Sequence, residues 1–250
     1  MRMRRKKNGA ARLEACAELL LSRPEQPIAS AREVFGREGE IFLEVGAGKG
    51  GFACETARQN PDALFFAMER ISDCVVLAAE QAKVRAAERP DNLRFLIDGA
   101  DNLPLWFAPG TVSRIYLNFS DPWHKKGYRK RRLTYRRYLA MYFTLLRDGG
   151  ILRFKTDNVP LFEFSLGEIA ALGLTLAFVT RDLHASAYAE GNVMTEYERA
   201  FTEKGVPICM LEVKKPEGYI PHYEEERKAS DTSEDGDTSE KDTVDTEQKL

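Results

Sequence analysis

The chain is poor in cysteine and has no long apolar run, and both shortages narrow what it can be. Four cysteines (Cys16, Cys54, Cys74, Cys209) lie scattered through 250 residues, with no C-x-x-C pair among them. Such spacing implies neither a disulfide framework nor a zinc site, so reduced thiols and no metal are expected. No apolar stretch reaches the roughly 20 residues that a membrane-spanning helix needs, so no membrane partner is expected. The N-terminus, MRMRRKKNGAARLEACAELLL, is basic and then apolar, as a secretory signal is, but Glu14 and Glu18 interrupt the would-be apolar core. An amphipathic helix over residues 10–21 and a cytoplasmic location are expected instead.

Net charge looks uninformative until it is divided along the chain. The total is −2, from 37 basic and 39 acidic residues. Residues 224–250 hold 11 acidic and 4 basic residues, which leaves 28 acidic and 33 basic, a net of +5, for residues 1–223. A basic body with an acidic tail fits a polyanionic partner, although charge alone speaks only to non-specific attraction. The tail has almost no apolar residues and cannot offset the entropy of ordering, so disorder is expected there. It reads either as a solubilising appendage or as a segment that occupies the basic face and competes with non-cognate polyanions. At the other end, residues 1–9 form a basic arm, either solubilising or phosphate-gripping. Between the two, residues 10–223 read as one folded domain.

Within that domain, short apolar runs alternate with helical patterns. Residues 41–45 (IFLEV) end in the glycine turn Gly46-Ala47-Gly48-Lys49-Gly50-Gly51, and a helical pattern follows to Asn60-Pro61. Strands are expected at 63–68, 93–97, 114–119 and 151–156, with helices from Ser72, over 134–146, and from Pro160 in a first turn. Residues 174–180, 197–201 and 208–213 are further strand candidates without long helices between them, so the sheet should end in antiparallel pairs. The expected fold is α/β: a mainly parallel, doubly wound sheet with helices on both faces.

The glycine turn matches G-x-G-x-x-G, which admits a nicotinamide or flavin enzyme. Glu44, two residues before the first glycine, argues otherwise, because it would repel a pyrophosphate and attract an ammonium or sulfonium. S-adenosylmethionine carries both. Glu69, 19 residues after Gly50, is placed to accept from ribose hydroxyls and suits either cofactor.

Residues 115–137, IYLNFSDPWHKKGYRKRRLTYRR, set a carboxylate at the end of a strand and follow it with eight cations in thirteen residues. Asp121-Pro122 reads either as an ordinary turn or as a reaction centre beside a polyanion.

LEVGAGKGGF, YLNFSDPWHKK, KRRLT, FKTDN, LFEFSL, DLH and MTEYE occur in this order. Together, over residues 41–213, they resemble the bacterial tRNA (guanine-N7)-methyltransferase family. The resemblance implies a Rossmann-like class I methyltransferase that uses S-adenosylmethionine, releases S-adenosylhomocysteine and modifies a variable-loop guanine of tRNA. It implies Asp121 as the catalytic and donor-site aspartate. It implies Glu44, Gly46, Gly48, Gly50, Glu69 and Asn118 as donor-binding residues. Lys125, Asp157 and the segment Thr195, Glu196, Tyr197, Glu198 are implied as substrate-binding. Lys126, Arg129, Lys130, Arg131 and Arg132 are expected on the tRNA backbone. No obligatory protein partner is implied.

The chemistry agrees with that set. Guanine N7 has an exposed lone pair and no proton, so methyl transfer to it needs alignment and charge matching and no strong base. A carboxylate near the purine stabilises the cation that develops there. His124, which stands where the family commonly has proline, is therefore expected to be a phosphate or packing contact. Gly127-Tyr128 replaces a more basic pair. Gly99 falls where the family carries an aspartate, so the adenine amine is met either by Asp98, one residue early, or by a backbone group. The rivals are a non-catalytic RNA-binding homologue that retains the fold and a nicotinamide-dependent oxidoreductase.

Overall fold

The computed structural model describes residues 6–84 and 91–223. Most of the N-terminal arm and all of the acidic tail lie outside the described residues. Seven strands form one sheet: β1 (Ile41–Val45), β2 (Leu64–Glu69), β3 (Leu93–Ile97), β4 (Val112–Asn118), β5 (Leu146–Thr156), β6 (Leu176–Thr180) and β7 (Cys209–Lys214). Their order is β3-β2-β1-β4-β5-β7-β6. β1 to β5 pair in parallel, and β7 runs antiparallel to both β5 and β6. The expected antiparallel ending is therefore present.

Alternation along the strands builds two cores, one on each face. Leu43, Phe66, Ile115, Leu117 and Phe154 pack on one side, toward α5 (Arg136–Leu145) and α6 (Val159–Ala171). Phe42, Phe65, Phe95 and Tyr116 pack on the other, against α3 (Gly51–Gln59) and α4 (Ser72–Val84). Strands buried on both faces read as continuous apolar runs, which is why β1 and β2 stand out in the sequence. Among the described residues no helix is long and apolar enough to cross a membrane.

Two expected elements differ. The helix expected over 10–21 stops early: α1 is Gly9–Glu14, followed by a 3₁₀ turn at Ala17–Leu19. Leu20 pairs in parallel with Phe95 of β3, and Leu21 N–H donates to the Phe95 carbonyl at 3.0 Å, which draws the chain out straight. The short α2 is Arg32–Phe35. Where a strand was expected over 197–201 there is a helix, α7 (Glu196–Thr202). Its start is a reciprocal capping box, with the Thr195 hydroxyl accepting from Glu198 N–H and the Glu198 carboxylate accepting from Thr195 N–H. T-x-x-E here is a helix-start signal.

Candidate active site

Strand order reverses between β1 and β4, and in such sheets the crevice beyond the strand ends at that reversal is where ligands bind. Glu44 and Asn118, from these two strands, meet there. Asn118 Nδ2 donates to Glu44 Oε1 at 2.8 Å. Both side chains are buried, yet Glu44 Oε2 and Asn118 Oδ1 have no hydrogen-bond partner. Burial drives the Glu44 carboxyl up to about 8, against the Asn118 hydrogen bond and the nearby charge of Lys155.

The glycine turn roofs this point. Gly46 and Ala47 N–H groups both donate to the Met68 carbonyl, at 2.9 and 3.0 Å, tying the turn to β2. Gly50 sits at φ +74°, and a Cβ there would lie 2.8 Å from the Ala78 Cβ and from the Phe95 ring. Only glycine fits both demands. The turn, Glu44, Asn118, Phe119 and Thr195–Glu196–Tyr197 line a lobe of about 430 Å³.

A second lobe, about 560 Å³, shares Gly46, Asn118 and Phe119 with the first. Glu69, Asp98, Gly99, Asp101, Asp121 and Trp123 line it. Glu69 ends β2 and accepts from Gly48 N–H at 3.0 Å and Ile71 N–H at 2.9 Å, leaving one acceptor site on each oxygen. Asp98 has no such vacancy. Gly99 N–H (2.8 Å) and Asn102 Nδ2 (2.7 Å) occupy Oδ1, while Trp106 Nε1 (2.9 Å) and Arg23 occupy Oδ2. Burial pushes this carboxyl up, but the hydrogen bonds outweigh it and hold it at about 2. Of the two groups expected at the adenine amine, Asp98 or a backbone group, Asp98 already spends its lone pairs on bracing the turn after β3, which favours the backbone group. Asp101, passed over in the sequence, reaches the same lobe, paired with Arg137 at 2.8 Å and with the Tyr138 hydroxyl at 3.1 Å.

Asp121 is exposed at the lobe's edge, on a turn whose flanks, Phe119 (φ 51°) and Trp123 (φ 43°), both lie in the left-handed region. Non-glycine residues there cost about 1–3 kcal/mol each and persist only where surroundings impose them. Arg132 supplies part of that constraint. Its guanidinium donates to the carbonyls of Pro122 (2.9 Å) and Trp123 (3.3 Å) and stacks on Phe164 at 4.3 Å. Arg132 thus braces the Asp121 turn from inside, which sets it apart from the exposed cations expected on the tRNA backbone. Lys125, Lys126, Lys130 and Arg131 are exposed, and Arg129 is half-buried. Arg131 lies over both the Trp123 and Tyr128 rings. Arg136 is bound bidentately by Glu168, so part of the cationic run is structural.

The T-x-x-E segment divides by face. Thr195, Glu196 and Tyr197 line the smaller lobe, with Tyr197 5.0 Å from Phe119. Burial first, and the charge of Asp157 second, raise the Tyr197 phenol, and Asp157 directly follows β5. Glu198 points the other way. It is fully buried and ion-paired with Lys155 at 2.6 Å, so the expected direct substrate contact is corrected.

A doubly wound sheet in this order, with a glycine turn at its switch point and an acid closing β2, is Rossmann-like, and the family match below makes it a class I methyltransferase. Solved structures share that fold: the 16S rRNA methyltransferase KamB at TM-score 0.59 and 18% identity, over 79% of this chain and 98% of that one. An antibiotic-related methyltransferase aligns at TM-score 0.55 and 13% identity, over 78% and 98%. At such identities the likeness establishes fold alone. Residues 38–211 match the family described as putative methyltransferase (Methyltransf_4), and the chain belongs to that S-adenosylmethionine-dependent, TrmB-like family.

Proposed function

We propose that the protein transfers a methyl group from S-adenosylmethionine to N7 of a guanine in the variable loop of tRNA. The observation that carries this reading is a juxtaposition at the switch point. Two buried, unpartnered acceptors lie on one side of Phe119, and an exposed carboxylate with a cationic rim lies on the other.

The acceptors fit an amino-acid ammonium. Glu44 Oε2 and Asn118 Oδ1 are each short of one donor, and an ammonium supplies donors together with the charge that returns Glu44 to its ionised form. Glu69, with one free acceptor site per oxygen, fits a ribose diol. When bound, S-adenosylmethionine supplies an electrophilic methyl on a sulfonium. The chain's own contribution is alignment and electrostatics. Asp121 faces the purine as it gains positive charge and accepts from the guanine N1–H and amine, which selects guanine. Tyr197 and Phe119 offer an aromatic face, the usual support for a base taken out of its stack. Lys125, Lys126, Lys130 and Arg131 meet phosphates, fixing register without reading sequence.

Incubation with labelled methyl donor and unmodified tRNA tests the proposal. Incorporation should appear and should vanish when the variable-loop guanine is replaced. Asp121→Asn should lower the single-turnover rate at saturating donor about 100- to 1,000-fold. RNA binding without any incorporation would instead leave a non-catalytic homologue.

A further inference from the structure

Behind the smaller lobe a lysine and a glutamate face each other out of reach of solvent. Lys155 in β5 and Glu198 in α7 have side chains 1% and 0% exposed, with Nζ 2.6 Å from Oε2. The other ammonium protons go to the Asn192 side-chain oxygen at 3.1 Å and the Val193 carbonyl at 2.9 Å. Glu198 is occupied as fully. Its Oε1 accepts from Asn192 Nδ2 at 2.7 Å and lies 3.3 Å from His184 Nε2, and Oε2 lies 3.4 Å from Thr195 N.

These bonds fasten residues 192–198 to the sheet, and the face they turn outward is a wall of the donor lobe. Thr195, Glu196 and Tyr197 line it opposite Glu44 and the glycine turn. Lys155 is also the register partner of Asn118, which holds Glu44, and its ammonium lies 5.2 Å from the ring centroid of Phe52, another lining residue. At the mouth, the Lys49–Glu196 pair at 3.4 Å is more than half exposed on both sides, and such pairs contribute little. A buried pair is different: removing one partner strands the other charge, so the segment it anchors does not stay in place.

We propose that Lys155 and Glu198 are positioning residues, a buried latch that sets the 195–197 wall. Donor affinity then depends on an ion pair that touches neither donor nor RNA. This rests on the donor-site reading given above. A glutamate with no exposed surface has no route to a guanine, and the same burial suits it to hold the wall from behind.

The test uses the full chain and S-adenosylhomocysteine, with no RNA present, and reads Kd by titration calorimetry. Glu198→Gln and Lys155→Met should each weaken binding at least about 10-fold, and the double change Lys155→Met/Glu198→Met should lose no more than the worse single one. Amide exchange over residues 191–198 should accelerate in Glu198→Gln while β1 and β4 stay protected. If a single variant does not melt cooperatively, the double, which leaves no charge buried alone yet lacks every bond to Asn192, Val193 and Thr195, carries the same ten-fold expectation. Variants that bind within two-fold of the parent would overturn the latch and return Glu198 to the RNA side. A parent chain that does not bind S-adenosylhomocysteine would overturn the donor reading itself, and the latch with it.

Discussion

In the smaller lobe Glu44 has one donor for two oxygens, whereas in the larger lobe Asp98 has four. Both are buried or nearly so, both stand at or just beyond a strand's end, and both line the cleft. Their carboxyls are nonetheless displaced in opposite directions, Glu44 up to about 8 and Asp98 down to about 2. Desolvation is the largest influence on each, so the difference comes from the hydrogen bonds that oppose it. A buried acceptor left short of donors calls for an explanation, which the proposed donor ammonium supplies at Glu44, whereas the donors around Asp98 already satisfy it. The same distinction separates Lys126 from Arg132, and it can be broken by substitution at either member of each pair.

The largest effect should fall on Glu44→Gln. Losing a charge-assisted bond to an ammonium costs about 1.5–3 kcal/mol, or about 10- to 150-fold in Kd for S-adenosylhomocysteine. The ligand-free protein should respond in the opposite sense. Glu44 has a folded value raised from 4.5 to about 8, so its contribution to stability is fully present below pH 4.5 and is lost as pH rises through 8. Glutamine never ionises, so melting temperatures should favour the variant increasingly from pH 5 to pH 9. A variant that loses affinity and also loses stability at pH 9 would show that Glu44 is scaffold after all.

Asp98→Asn should do the reverse, with a smaller change. Its folded value is depressed from 3.8 to about 2, so its stabilisation is present above pH 3.8 and is lost as pH falls through 2. The difference corresponds to about 2 kcal/mol at neutral pH. Chemical denaturation at pH 7 should show that loss, and parent and variant should converge between pH 4 and pH 2. Donor affinity should hardly move, and a ten-fold loss would restore Asp98 to the binding set.

The sheet and the glycine turn were legible from local pattern. The apolar runs at 41–45 and 93–97 became β1 and β3 within the same bounds, and Pro160 lies in the first turn of α6 as expected. Such features depend on neighbours within a few residues. Occupancy is not local. Asp98 is saturated partly by Arg23, 75 residues away, and Glu198 by Lys155, 43 residues away. No periodicity along the chain encodes such distances. T-x-x-E is the exception, because a capping box is a local signal. It outweighs the strand expected over residues 197–201, and α7 stacks Tyr197 and Phe201 with ring centroids 4.4 Å apart on one side.

The smallest effect, and the finest division, is expected within the cationic run. Lys126 is exposed, whereas Arg132 donates to two carbonyls of the Asp121 turn. A lysine that meets one phosphate releases about one counterion, so Lys126→Ala should lower the slope of log K against log salt for tRNA by about one. Its kcat and its melting temperature should stay at the parent's values. Arg132→Ala should leave the salt slope unchanged and lose about 1–2 kcal/mol of stability, from two bonds to part-buried carbonyls and the stacking on Phe164. With the turn unbraced, Phe119 and Trp123 no longer need their left-handed backbone, and Asp121 relaxes away from the cleft, so kcat should fall while donor affinity holds. Equal salt slopes for the two variants would mean that the run acts as one undivided phosphate grip, with no separate brace beneath it.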